Sequence, residues 1–151
     1  VSAVLQQHLE HHHAILTKLT ELLEEEQRLL GVGDIDGKAL ETVAKDKSSQ
    51  FTALQESEQQ RRDLQKNQGL GESKEGALKF AERSGCAPLW QETLELAQQV
   101  NRLNVLNGEL IQHRLQHNQQ MLNIIREAAG TPLYGADGKS TTAGSRLNSK
   151  A

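Results

Sequence analysis

Leu5, Leu9, His12, Leu16, Leu19, Leu23, Glu26 and Leu30 follow one another at alternating steps of four and three residues. That alternation keeps a row of side chains on one line along an α-helix, and it marks helices that pack on one another at shallow angles. Ile15, Leu22 and Leu29 widen the row on one side. The chain therefore opens with a helix over about residues 3–30 that cannot bury its own seam and needs partner helices. Gly31 and Gly33 follow, and glycine supplies the left-handed conformation that helix ends often use.

The partners are predicted downstream. Asp34 and Asp36 can cap a second helix, expected from about Gly37 to Asn67, with Leu40, Val43, Phe51, Leu54 and Leu64 as its apolar marks. Its stripe thins over Glu58–Asp63, which reads EQQRRD, so this end is expected to be exposed or frayed and held by pairs such as Glu58–Arg62. Gly69-Leu70-Gly71 breaks the pattern, and Ser73 can cap a short helix from Lys74 to Arg83. After Ser84-Gly85-Cys86-Ala87, Pro88 suits the first turn of a last helix, where its missing amide costs nothing. That helix runs to about Ala129, roughly 60 Å at 1.5 Å per residue. Gly130 and Pro132 end it, and the turn-rich remainder is expected to be a flexible tail. The fold expected is all-α: an elongated antiparallel bundle of three long helices with a short extra helix, spanning residues 1–132, and a tail over 133–151.

Composition narrows the function. Aromatic residues are 3% of the 151, which suits a narrow leucine seam and leaves little to line a catalytic pocket. A net charge of −3 carries no footprint for nucleic acid. Arg61-Arg62 and the sparse basic residues of the tail read as charges that solvate a face or an end. A single cysteine, Cys86, fits a reducing compartment. No apolar run approaches the ~20 residues that cross a bilayer, and no signal-peptide pattern opens the chain, so a cytoplasmic protein without membrane insertion is expected.

Residues with chemistry are few. His8 and His12 stand four apart, as do His113 and His117, and two such pairs on neighbouring helices could form a four-nitrogen zinc site. No HExxH or CxxC companion accompanies them, so the histidines read better as polar residues flanking or interrupting a seam. No GxSxG and no phosphate-cradling glycine loop is present. Cys86 reads as a small linker residue. No catalytic residue, metal or cofactor is expected.

Two features of the last helix are more informative. Asn101, Asn104 and Asn107 recur every three residues and Gly108 follows, an unusual cluster inside a good helix. It points to amide hydrogen bonds between helices that fix register, with close packing at the glycine. Beyond it Leu110, Ile111, Leu115, Met121, Leu122 and Ile125 are apolar over more than one face. On pattern alone this stripe is either intramolecular core or a groove for a partner helix.

The segments Glu24–Arg62 and Asn101–Ser140 resemble the first helical hairpin and the last helix and tail of the FlgN family. The LYGADG segment, Leu133–Gly138, directly after the asparagine row, carries most of the specificity. Residues 68–90 and the His-rich start depart from the likeness. The resemblance implies a cytosolic chaperone of flagellar type III export that binds the C-terminal helices of the hook-associated proteins FlgK and FlgL, prevents premature assembly, and hands them to the export gate protein FlhA. It makes the stripe of Leu110, Ile111, Leu115, Met121, Leu122 and Ile125 the substrate-binding element, and Leu133, Tyr134 and Gly135 the contact to the gate. The alternative is a self-associating structural or regulatory coiled-coil protein without export substrates; the sequence leaves a homodimer open in either case.

Overall fold

The computed structural model describes the backbone of residues 2–129 and the side chains of 3–119 and 123–128. All regular structure among them is helical: α1 (Ser2–Leu30), α2 (Gly37–Asn67), α3 (Lys74–Arg83) and α4 (Ala87–Ala129). The expected elements are all present, with Asp36 and Ser73 in their capping roles. Asp36 accepts from the Ala39 amide and Ser73 from the Gly76 amide, each at 3.0 Å. The stop after α1 differs from expectation. Gly31 and Gly33 do not take positive φ; the left-handed residues are Gly69, Gly71 and Gly85, which bracket α3.

The chain divides into two compact units, residues 1–107 and 108–151, and the boundary falls within α4. In the first unit every position of the 3–4 seam of α1 is buried, including the polar His12 and Glu26. α2 returns antiparallel to α1, since Val43 packs with Leu22 and Leu29 while Ser57 meets His12. The first part of α4 runs parallel to α1: Trp90 packs with Leu5 and Leu9, Val100 with Leu16 and Leu19, and Asn107 reaches Leu23. The unit is thus a three-helix bundle in which only the pairings with α2 are antiparallel.

α3 closes one end of it. Ala77, Phe80 and Ala81, spaced one helical turn apart on its inner face, pack with Leu5, Leu9, Cys86 and Trp90. The link from α2 to α3 is organised by Gln65, which is fully buried. Its carbonyl accepts from the Leu70 amide, and its side chain donates to the Ser73 carbonyl oxygen. Gly76 sits so close to this turn that a Cβ there would drive into the Leu70 carbonyl oxygen and crowd the Gln65 amide.

The end of α2, expected to fray, is instead held by polar contacts. Ser57, Arg61 and Gln65, four residues apart, form its inner face. The Arg61 guanidinium lies 5.0 Å from the centre of the Trp90 ring, donates to Gln65 at 2.8 Å and pairs with Glu58 at 3.2 Å. Arg61 therefore belongs to the bundle rather than to a solvated face. The expected Glu58–Arg62 pair is present but longer, at 3.9 Å.

Candidate functional site

The asparagine row does what its placement in a helix suggested. Asn107 is fully buried. Its amide nitrogen donates to the Leu23 carbonyl oxygen at 2.8 Å and to Glu26 Oε1 at 2.9 Å. Both partners are acceptors, so only one orientation of the amide satisfies them. Lys47 of α2 completes the node, donating to both Glu26 oxygens at 3.0 and 3.1 Å and to Asn104 Oδ1 at 3.3 Å. Three helices thereby meet on one carboxylate whose side chain is 4% exposed. A charge so desolvated is tolerable because it is paired and hydrogen-bonded. Any shift in register would break the node, which gives the bundle specificity that leucines alone do not provide. Asn101, by contrast, is exposed. The close packing expected at Gly108 is absent, because a Cβ added there would meet nothing within 4 Å.

The second unit is described over its helical residues, 108–129. In a continuous helix at about 100° per residue, positions 110, 111, 115, 121, 122 and 125 fall within an arc of roughly 140°, and position 124 widens it. The six expected binding positions therefore gather on one broad face. Leu110 and Ile111 are half-buried. Leu115, Ile124 and Ile125 are exposed by 56%, 58% and 58%. Ile124 belongs with this surface and was outside the expected set. The side chains of Met121 and Leu122 lie outside the described residues, as do Leu133, Tyr134 and Gly135. Three large aliphatic side chains more than half exposed within about three turns of one helix lose hydrophobic stabilisation that a partner's surface could restore.

The histidines do not assemble a metal site among the described residues. His113 and His117 are exposed on the second unit. His12 is buried at its seam position and hydrogen-bonded to Ser57 at 2.7 Å, so it interrupts the seam as a satisfied core residue. Cys86 is more than a linker residue: it is buried beside Trp90 and Phe80, its thiol lies 3.4 Å from the Ser84 carbonyl oxygen, and burial pushes its pKa up. A buried thiol with a raised pKa is a poor nucleophile. No described helix is long and apolar enough to cross a membrane.

Comparison with known proteins identifies the family of the chain. A family model described as FlgN protein matches residues 2–142. The chain is 34% identical over 134 residues to the flagella synthesis protein FlgN of Yersinia enterocolitica, covering 89% of this chain and 87% of that protein. It is 33% identical over 140 residues to that of Salmonella typhimurium, covering 91% and 90%, and 31% identical over 134 residues to that of Escherichia coli K12, covering 89% and 88%. No solved structure matches. The match spans both units and runs past α4 into the segment carrying Leu133, Tyr134 and Gly135: the chain belongs to the FlgN family of flagella synthesis proteins.

Proposed function

We propose that the protein is a cytoplasmic export chaperone that takes the C-terminal helices of FlgK and FlgL onto the apolar face of residues 110–125, prevents their premature assembly, and delivers them to FlhA. The observation carrying this reading is the exposure of Leu115, Ile124 and Ile125 on an amphipathic face that no other described residue covers. A surface of that width suits an amphipathic helix laid lengthwise, with anchors at helical spacing. The first unit has a different job. Its core is complete, and its polar nodes fix one register, so it serves as a folded base that carries the binding helix.

Delivery requires a second contact that does not compete with the first. Leu133, Tyr134 and Gly135 lie beyond the binding face in sequence, and one aromatic anchor on a short segment can dock to a separate protein. We assign these three residues to FlhA.

Size-exclusion chromatography of the full chain with purified C-terminal segments of FlgK and FlgL tests the reading. Co-elution as a stable complex supports it. Elution as separate species, with the chain alone running as a homodimer or larger, would assign the same face to self-association instead.

A further inference from the structure

Midway along the α1–α2 pairing a second polar node replaces leucines in the seam. The Ser57 hydroxyl, 2% exposed, lies 2.7 Å from His12 Nδ1 and 3.4 Å from His8 Nε2. His12 Nε2 lies 3.4 Å from Glu58 Oε1. The proton positions in this row follow from its far end. The Glu58 carboxylate can only accept and faces Nε2, which favours the His12 tautomer with its proton there. Neutral His12 then accepts at Nδ1, and the hydrogen that fills it is that of Ser57. The Ser57 oxygen accepts in turn from His8, whose proton sits on Nε2. One directed chain results: His8 Nε2–H to Ser57 Oγ–H to His12 Nδ1, with His12 Nε2–H facing the Glu58 carboxylate. The donors and acceptors shared along it are all used only while His12 is neutral.

We propose that this chain is a proton-sensitive fastener of the α1–α2 hairpin, closed when His12 is neutral and released when His12 takes up a proton. A proton added to His12 can go only to Nδ1. The Ser57 oxygen then faces two donors and its own hydrogen loses the His12 acceptor, a loss comparable to a broken hydrogen bond. His8 differs, since its free nitrogen is its Nδ1 and a proton there leaves the chain intact.

The surroundings oppose the cation on His12. Burial disfavours it, only Glu58 favours it, and His8, Arg61 and His11 add positive charge, so its pKa falls to about 4. On α4, Glu92 engages His13 at 3.6 Å and the Thr93 hydroxyl is committed to the Leu89 carbonyl oxygen. Neither therefore supplies a counter-charge. Protons have a route to the chain, because His8 and His11 line an open cleft of about 480 Å³ with Val4, Gln60 and Asp63. A histidine held neutral in the fold contributes stability that is fully present above the unfolded value near 6.5 and lost as pH falls toward the folded one. Release therefore spans mildly acidic conditions.

Nitrogen-15 NMR of the histidine rings in the full-length protein, with denaturant unfolding across the same pH range, tests the proposal. The expected result is the Nε2–H tautomer for both His8 and His12 at neutral pH. The unfolding equilibrium constant should rise roughly thirtyfold by about pH 5 on account of His12, a rise absent from His12→Leu. An Nδ1–H tautomer at His12 would overturn the chain. Equal acid sensitivity in the wild type and His12→Leu would overturn the fastener. If His12→Leu does not fold, the wild-type ring titration decides alone, and an unshifted His12 rejects the proposal.

Discussion

Asn107 and Glu26 are 81 residues apart in sequence and 2.9 Å apart through a buried hydrogen bond that fixes α4 against α1. Asn107→Ala removes the donor shared by Leu23 and Glu26 and leaves both acceptors short of a partner in a place water does not reach. A loss of roughly 1–3 kcal/mol is expected. Urea unfolding reads it as a lower midpoint with an unchanged slope. A midpoint within error of the wild type would mean that the amide is replaced by water.

Lys47 offers a sharper test of the same node. Lys47→Ala leaves the Glu26 carboxylate, 4% exposed, with only Asn107 as a donor. Breaking a buried pair from one side costs roughly 3–5 kcal/mol, and Asn107 should hold the loss to the lower part of that range. Replacing Glu26 and Lys47 together with leucine and methionine should recover most of it. Lys47→Met alone should stay destabilised where the double variant recovers, which separates an uncompensated Glu26 charge from simple loss of packing.

Glycine to alanine should act in opposite directions at two helical sites. At Gly76 the new methyl meets the Leu70 carbonyl oxygen and the Gln65 amide, both held in place, so α3 must shift from Leu5 and Trp90. Overpacking of that kind costs roughly 1–3 kcal/mol. At Gly108 there is open space, and alanine should stabilise the helix by up to ~1 kcal/mol. Thermal melting of the two variants, with helicity at low temperature, distinguishes the cases. Equal effects of one sign would show that general helix propensity, and not the α3 contact, governs both.

Much of this was legible in the sequence because a leucine seam reports its own burial. The seam positions of α1 from Leu5 to Leu30 are buried without exception, and Asp36, Ser73 and the row containing Asn107 declared their roles through residue type and spacing. What stayed hidden was polar. Ser57, Arg61 and Gln65 continue the inner face of α2 through a stretch that reads as solvent-facing, because a polar side chain does not announce whether its partner is water or another helix. The spacing of four residues among them was the available signal. Gly108 misled in the other direction: a glycine inside a helix is equally consistent with close approach and with none.

The thiol of Cys86 reports on the α3 end of the bundle. It is buried with Phe80 and Trp90, and burial raises its pKa, so reaction with a soluble disulfide reagent requires that end to open. Slow modification is expected in the native protein at neutral pH, with a sharp increase in Phe80→Ala. A rapid native rate would place the thiol at the surface.

The apolar face of residues 110–125 should separate stability from binding. Leu115 and Ile125 are exposed by 56% and 58%, so an aspartate at either position buries no new charge in the single chain. Surface substitutions of this kind usually change stability by about 0.5 kcal/mol or less. In a complex, the same carboxylate would sit beneath an apolar helix, where an unpaired charge is strongly disfavoured. On the proposed chaperone reading, Leu115→Asp and Ile125→Asp should therefore melt like the wild type while affinity for FlgK and FlgL C-terminal segments falls at least tenfold, about 1.4 kcal/mol, by calorimetry. Unchanged affinity in both variants would move the contact away from this face. A large loss of helicity would instead show that these residues support the fold. Either result would leave the register node of Asn107 and Glu26 intact, since it lies wholly within the first unit.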